Sequence, residues 1–148
     1  MRVKSHDLLR LLTNHADRLN RKVANQTAEL ADCANRDTYR IQGDLISANM
    51  YAIEKGTEAV RLQNFYDENL AEIEIRLDPA LTPQQNAQKY YKAYRKAKTA
   101  EEKLTEQIAL AKTELAYIDS VFESLALAES ERDLNEIRAE LAEQGYVR

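Results

Sequence analysis

Apolar residues in the second half of the chain recur in alternating steps of three and four: Ala87, Tyr90, Tyr94, Ala97, then Leu104, Ile108, Ala111, Leu115, Ile118, Phe122 and Leu125, interrupted only by Glu101. That spacing holds one stripe on one side of an α-helix for about five heptads, with no internal Gly or Pro to break it. It specifies a single helix of roughly 60 Å at ~1.5 Å per residue. An apolar stripe of that length needs a partner along it, because most helical stability in water comes from packing. The start is sharp. Thr82, Pro83 and Gln85 fit N-cap, N1 and N3: the Thr hydroxyl takes the N3 amide, Gln85 reaches back, and Pro83 has no N–H to leave unsatisfied.

Leu9, Leu12, Ala16, Leu19, Val23, Gln26 and Leu30 repeat in the same steps, flanked by Leu8 and Leu11, so residues 1–31 form a second seam-bearing helix and the obvious partner. One helix ends near residue 31 and the other starts near 83. They therefore run antiparallel around an insertion, with opposing positions summing to about 114. The first helix is the shorter, which leaves Leu115, Ile118, Phe122 and Leu125 uncovered unless the C-terminal helix folds back or a second copy pairs with them. Self-association through that seam is one expectation.

Within the insertion, a polar break at 32–37 precedes a helix over about 36–55, with Tyr39, Ile46, Met50 and Ile53 on one stripe and Gly56 as its C-terminal cap. Gly43 inside that helix costs roughly 1 kcal/mol relative to Ala, which points to close approach by another backbone, the hairpin that follows being the nearest. Asn49 is expected to bond that hairpin's backbone. From about 58 to 77 the period changes to two: Val60 and Leu62, then Ile73, Ile75 and Leu77, alternate with polar neighbours around the turn residues Asp67, Glu68 and Asn69. Ser130 and Asp133 open a short helix over 130–144 bearing Leu134, Ile137 and Leu141, and Gly145 stops it. Tyr146 and Val147 read as the opening of a strand.

The fold class expected is thus mainly α: a long antiparallel two-helix coiled coil (1–31 and 83–128), a small α+β head at its tip (32–82, helix plus β-hairpin), and a short C-terminal helix leading to a further domain. The chain reads as a fragment of a larger protein.

No run approaches the roughly 20 apolar residues of a membrane span, and the leucines near the N-terminus are spread amphipathically, unlike a signal peptide. A cytoplasmic location follows. Cys33 is the single cysteine, so no intrachain disulfide can form. His6 and His15 are nine residues apart and do not make the i, i+4 pair that grips a metal on one helix. There is no Gly-rich phosphate loop and no nucleophile with a base, so no catalysis and no cofactor are expected.

The net charge of −4 hides strong asymmetry. Residues 1–31 carry +3, 32–82 carry −5, 83–98 carry +5 and 99–148 carry −7. Binding of a polyanion depends on such local patches rather than on the total. In the antiparallel register proposed above, Arg18, Arg21 and Lys22 lie beside Lys92, Arg95 and Lys96, forming one basic belt with Lys89 and Lys98. A solvated coiled-coil face is the competing reading. Tyr90 and Tyr94 fall on the seam and are expected to be buried, with Tyr91 the freer ring.

Four segments in order, YRIQGDLISANMY at 39–51, NFYDEN at 64–69, LDPALTPQQNAQKYYKAYRKAK at 77–98 and LNEIRAELAEQGYVR at 134–148, resemble the middle region of the NFACT family, in its bacterial branch. The resemblance spans nearly the whole chain. It implies a coiled-coil arm of a ribosome quality control factor. Full-length members bind the large ribosomal subunit carrying peptidyl-tRNA, recruit tRNA through an N-terminal domain absent here, and promote C-terminal alanine tailing of nascent chains. The ribosomal RNA and the stalk base are then the implied partners, with Arg36, Arg40 and Arg61 of the head joining the belt as candidate contacts. An older family name implies an alternative, a fibronectin-binding adhesin at the cell surface. A spacer that binds nothing is the third reading.

Overall fold

The long helix begins where its sequence requires. Gln85 N donates to Thr82 Oγ1 at 3.1 Å and Thr82 N to Gln85 Oε1 at 2.9 Å, a reciprocal capping box. The computed structural model describes residues 2–147. Over them run α1 (Arg2–Asp32), α2 (Arg36–Ala48), β1 (Ala59–Gln63), β2 (Glu72–Arg76), α3 (Pro83–Leu127) and α4 (Glu131–Glu143), with short 3-10 turns at Cys33–Asn35 and Met50–Ala52. The architecture is mainly α with one antiparallel hairpin, as the periodicities imply. No helix among the described residues is long and apolar enough to cross a membrane.

The chain divides into two compact units, one of Met1–Ala28 with Leu104–Arg148, the other of Glu29–Lys103. This differs from the expected split at 31 and 83. The first twenty or so residues of α3 belong with the head, and α4 belongs with the helical pair.

In the first unit α1 and the second half of α3 are antiparallel. Gln26 donates to Gln107 at 2.7 Å. At the other end Leu8 and Leu12 share a buried core with Ile118, Val121 and Leu125. Opposing positions therefore sum to 133, not 114. The expectation assumed that both helices leave the head at the same level, whereas α3 is engaged by the head until about residue 103. The seam at Ile118 and Leu125 is consequently buried within the chain, and α4 adds Leu134 and Leu141 to the same core. Of the two covers expected for that seam, the folded-back C-terminal helix is present, and Ile118 and Leu125 are buried with Phe122 partly so.

Ser130 caps α4, its Oγ accepting from Asp133 N at 3.1 Å while the Asp133 carboxylate accepts from Ser130 N. Backbone hydrogen bonding from Glu129 leads the causes that hold the Asp133 carboxyl below its usual range. After α4, Gly145 takes φ +84 and Tyr146 N donates back to Leu141 O at 2.8 Å, so the chain turns inward. Tyr146 does not open a strand: its hydroxyl donates to Glu114 at 2.6 Å, and its ring meets His15 edge-on at 4.9 Å and stacks on Tyr117 at 5.9 Å.

The second unit packs the end of α1, α2, the hairpin and the first half of α3. Its core is Leu45, Ile46, Ile53, Ile75, Leu77 and Ala87, with Val60, Leu62, Ile73, Tyr90 and Tyr91 against it. Register pairs Val60 with Ile75 and Leu62 with Ile73, which places the apolar alternation of both strands on one face. The turn is held by Asn64 N to Ala71 O at 2.9 Å and by Ala71 N to Asp67 Oδ2 at 2.9 Å.

Helix α2 ends at Ala48, because Asn49 leaves the helix and its Nδ2 donates to Leu45 O at 2.8 Å, not to the hairpin. Gly56, with φ +96, belongs to the turn before β1. Tyr39 lies outside the core at 38% exposure. Gly43 is indeed a point of close approach, but to a ring: a Cβ there would lie 2.8 Å from Tyr91 Cε1. Tyr91 is thus packed rather than free.

Two outcomes follow. Leu141→Ala should cost about 2–5 kcal/mol in urea unfolding, as for any fully buried leucine; a near-zero cost would contradict the packing of α4. Gly43→Ala should destabilise by about 1–3 kcal/mol through overpacking. In a Tyr91→Ala background the same change should stabilise by up to about 1 kcal/mol, the helix-propensity gain alone. A double-mutant cycle without that change of sign would refute the contact.

Candidate nucleic-acid interface

Residues 83–98 contain five cations and no acid, and helix geometry decides which of them act together. Lys89, Lys92, Lys96 and Lys103 lie three, four and seven residues apart, so they share one stripe of α3, with Arg95 on its edge and Lys98 on the opposite side. Lys92, Arg95, Lys96 and Lys103, with Thr99 and Ala100, line an open groove of about 490 Å³. Lys103 was not anticipated. The acidic pair Glu101 and Glu102 hides it from a count of charge by segment, although its spacing of seven from Lys96 marks it.

All six lysines and arginines, Lys89, Lys92, Arg95, Lys96, Lys98 and Lys103, are exposed. Among the described residues none of them makes an ion pair, unlike Arg36, Arg40 and Arg61 of the head. Arg36 pairs with Glu101, which explains the one acid in the apolar seam of α3. Arg40 lies 3.4 Å from Asp44 and 4.0 Å from Asp37, and its guanidinium sits 5.3 Å from the centre of the Tyr66 ring. Arg61 meets Glu72 at 3.5 Å. These three arginines have their charge locally compensated.

Arg18, Arg21 and Lys22 are exposed on α1 in the other unit. The register fixed by Gln26 and Gln107 sets them opposite positions 111–115 of α3, nineteen residues beyond the 92–96 segment that the expected belt required. The two basic segments therefore belong to different units and not to the one belt expected.

The side of α3 turned toward the head is fixed by polar bonds. Asp44 accepts from the Tyr91 hydroxyl at 2.5 Å and from Tyr66 at 2.6 Å, tying α2 to α3 and to the hairpin turn. Burial pushes the Asp44 carboxyl up, but the two tyrosine hydrogen bonds and the Arg40 charge together outweigh it and hold it below the ordinary range. Burial first and the Asp44 bond next push the Tyr91 phenol up; for Tyr66 the Asp44 bond leads. Tyr90 donates to Arg76 O at 2.6 Å. With Tyr90 and Tyr91 held toward the head, Lys92, Arg95 and Lys96 remain exposed.

A sequence profile of NFACT N-terminal and middle domains matches residues 1–148. The chain is 37% identical over 145 residues to the Rqc2 homolog RqcH of Bacillus subtilis, covering 98% of this chain and 25% of the relative. It is 36% identical over 145 residues to the Rqc2 homolog RqcH of Streptococcus suis, covering 98% of this chain and 26% of the relative. It spans about a quarter of the length of these relatives. A solved structure, the C-terminal part of the fibronectin/fibrinogen-binding protein from Streptococcus suis, superposes with a TM-score of 0.65 at 27% identity, over 97% of this chain and 43% of that one.

The Asp44 network predicts a defined pH response. Its carboxyl, lowered by folding, contributes stability above the unfolded pKa near ~3.9 that is lost as pH falls through the lower folded value. The phenols of Tyr66 and Tyr91, raised by folding, contribute stability below ~10 that is lost as pH rises through their folded values. The stability gap between wild type and Asp44→Asn should therefore be level from about pH 5 to 9 and narrow at both ends. Thermal unfolding across pH measures it, and a gap independent of pH would contradict the assignment.

Proposed function

We propose a function from one premise: the chain belongs to the NFACT family, matching its N-terminal and middle domains along its whole length. It is a non-catalytic arm of an RqcH-like ribosome quality control factor in the cytoplasm. The arm contacts the large ribosomal subunit carrying peptidyl-tRNA, while other parts of the full-length protein recruit tRNA for alanine tailing. The names of its bacterial relatives support this reading at the level of the whole protein.

One observation carries the arm's own role. The exposed cations of α3 lack carboxylate partners among the described residues, while Arg36, Arg40 and Arg61 of the head have them. Unpaired cations along one helix face suit RNA phosphates, whose counterions are released on contact, and that release makes binding steeply salt-dependent. Arg18, Arg21 and Lys22 are a second, separate contact in this reading. A fibronectin-binding role is the other reading, favoured by the description of the superposed streptococcal structure.

Replacing Lys92, Arg95 and Lys96 together by Glu should release the protein from purified large subunits in cosedimentation. Replacing them by Ala should make the slope of log affinity against log salt shallower by about one per cation. Reversing Arg36, Arg40 and Arg61 should affect binding less. Unchanged affinity and slope in the α3 variants, together with saturable fibronectin binding, would favour the adhesin.

A further inference from the structure

Beside the basic stripe, the second unit contains a cavity of about 410 Å³ between α2, the end of β2 and the first turns of α3. Its size is in the range of small-ligand sites. Tyr39 and Tyr90 supply aromatic walls, and Leu77 and Pro79 add apolar surface. Tyr90 is fixed by its hydroxyl bond to Arg76 O, whereas the Tyr39 ring is 38% exposed and makes no hydrogen bond among the described residues. Arg76 and Lys89 bring positive charge to the same lining, both exposed and both without an ion pair among the described residues.

The polar groups below are not equivalent. Asn86 is buried and its amide is fully used: Oδ1 accepts from Asp78 N, and Nδ2 donates to the carbonyls of Asp78 and Thr82. It shapes the loop and has nothing left to read a ligand. Asp78 Oδ1 accepts from Ala80 N at 3.0 Å, but Oδ2 has no hydrogen bond among the described residues and is the acceptor still available. Two tyrosines, two cations and one free carboxylate oxygen form a set suited to a flat aromatic ring that carries N–H donors and a nearby anion.

We propose that this cavity takes one unstacked nucleotide of a single-stranded RNA segment, its base against Tyr39 and Tyr90, its phosphate on Arg76 and Lys89, and an exocyclic amine on Asp78. The occupant is a nucleotide rather than an apolar peptide side chain because the cations lie in the lining itself. Lys89 also begins the stripe that continues through Lys92 and Lys96, so one strand can run from cavity to stripe. The inference rests on the RNA-contact reading of that stripe, yet a single nucleotide tests it independently, since a mononucleotide is too short to use the stripe.

The test is NMR titration of the 148-residue chain with guanosine 5′-monophosphate, with ribose 5-phosphate as the probe lacking a base. The nucleotide should shift the Tyr39 and Tyr90 ring signals and the sugar phosphate should not. Tyr39→Ala should weaken nucleotide binding by about 5- to 150-fold, the range for loss of one base–aromatic stack. Asp78→Asn should weaken it too, while the Lys92, Arg95 and Lys96 alanine variant should leave it unchanged. Absence of shifts at millimolar nucleotide, or equal shifts from ribose 5-phosphate, would overturn the proposal. Oligonucleotide binding that keeps its salt slope but ignores Tyr39→Ala would overturn the cavity while leaving the stripe intact, and loss of the salt slope with nucleotide binding retained would do the reverse.

Discussion

An uninterrupted helix of 45 residues cannot bury its own apolar stripe, and the rest of this structure is organised by that constraint on α3. Cover comes from different elements along its length. Ala87, Tyr90 and Tyr91 are covered by α2 and the hairpin, and Ile118, Val121 and Leu125 by α1 and α4. The single acid in the stripe, Glu101, is answered by Arg36. These apolar positions are covered within the chain.

The same division explains the charge pattern. Where α3 faces the head, its polar bonds are internal: Tyr91 to Asp44, Tyr90 to the Arg76 carbonyl, Asn86 to the Asp78 loop. Its opposite side carries only cations and small residues from Lys92 to Ala100. Ordinary surface cations lie among carboxylates and contribute little either way. A run of unpaired ones instead creates a local potential that favours a polyanion, even on a chain of net charge −4.

What the sequence made legible is local. The capping box at Thr82 and Gln85, the Ser130–Asp133 start of the C-terminal helix, and the hairpin with its polar turn all rest on interactions between residues a few positions apart, and all are present. Long-range features were misread for a common reason: spacing along one helix says nothing about the level at which its partner meets it. The register between α1 and α3 needed the depth to which the head engages α3. Gly43 signalled a close approach, but only the fold could show that the neighbour is the Tyr91 ring. Tyr39 sits at a helical spacing that suggests core, yet α2 turns Ile41, Leu45 and Ile46 inward instead. The cavity it lines joins residues from 39, 76–79 and 86–93, a combination that no single stretch of sequence displays.

In the function proposed, the unpaired cations from Lys92 to Lys103 of α3, rather than Arg36, Arg40 and Arg61 of the head, meet RNA. Its most direct test is lysine-reactivity footprinting of the protein with and without bound large ribosomal subunits, read by mass spectrometry. Lys92, Lys96 and Lys103 should be protected from acetylation on binding while Lys55 keeps its reactivity; unchanged reactivity of Lys92, Lys96 and Lys103 in a saturated complex would show that this stripe does not meet the subunit.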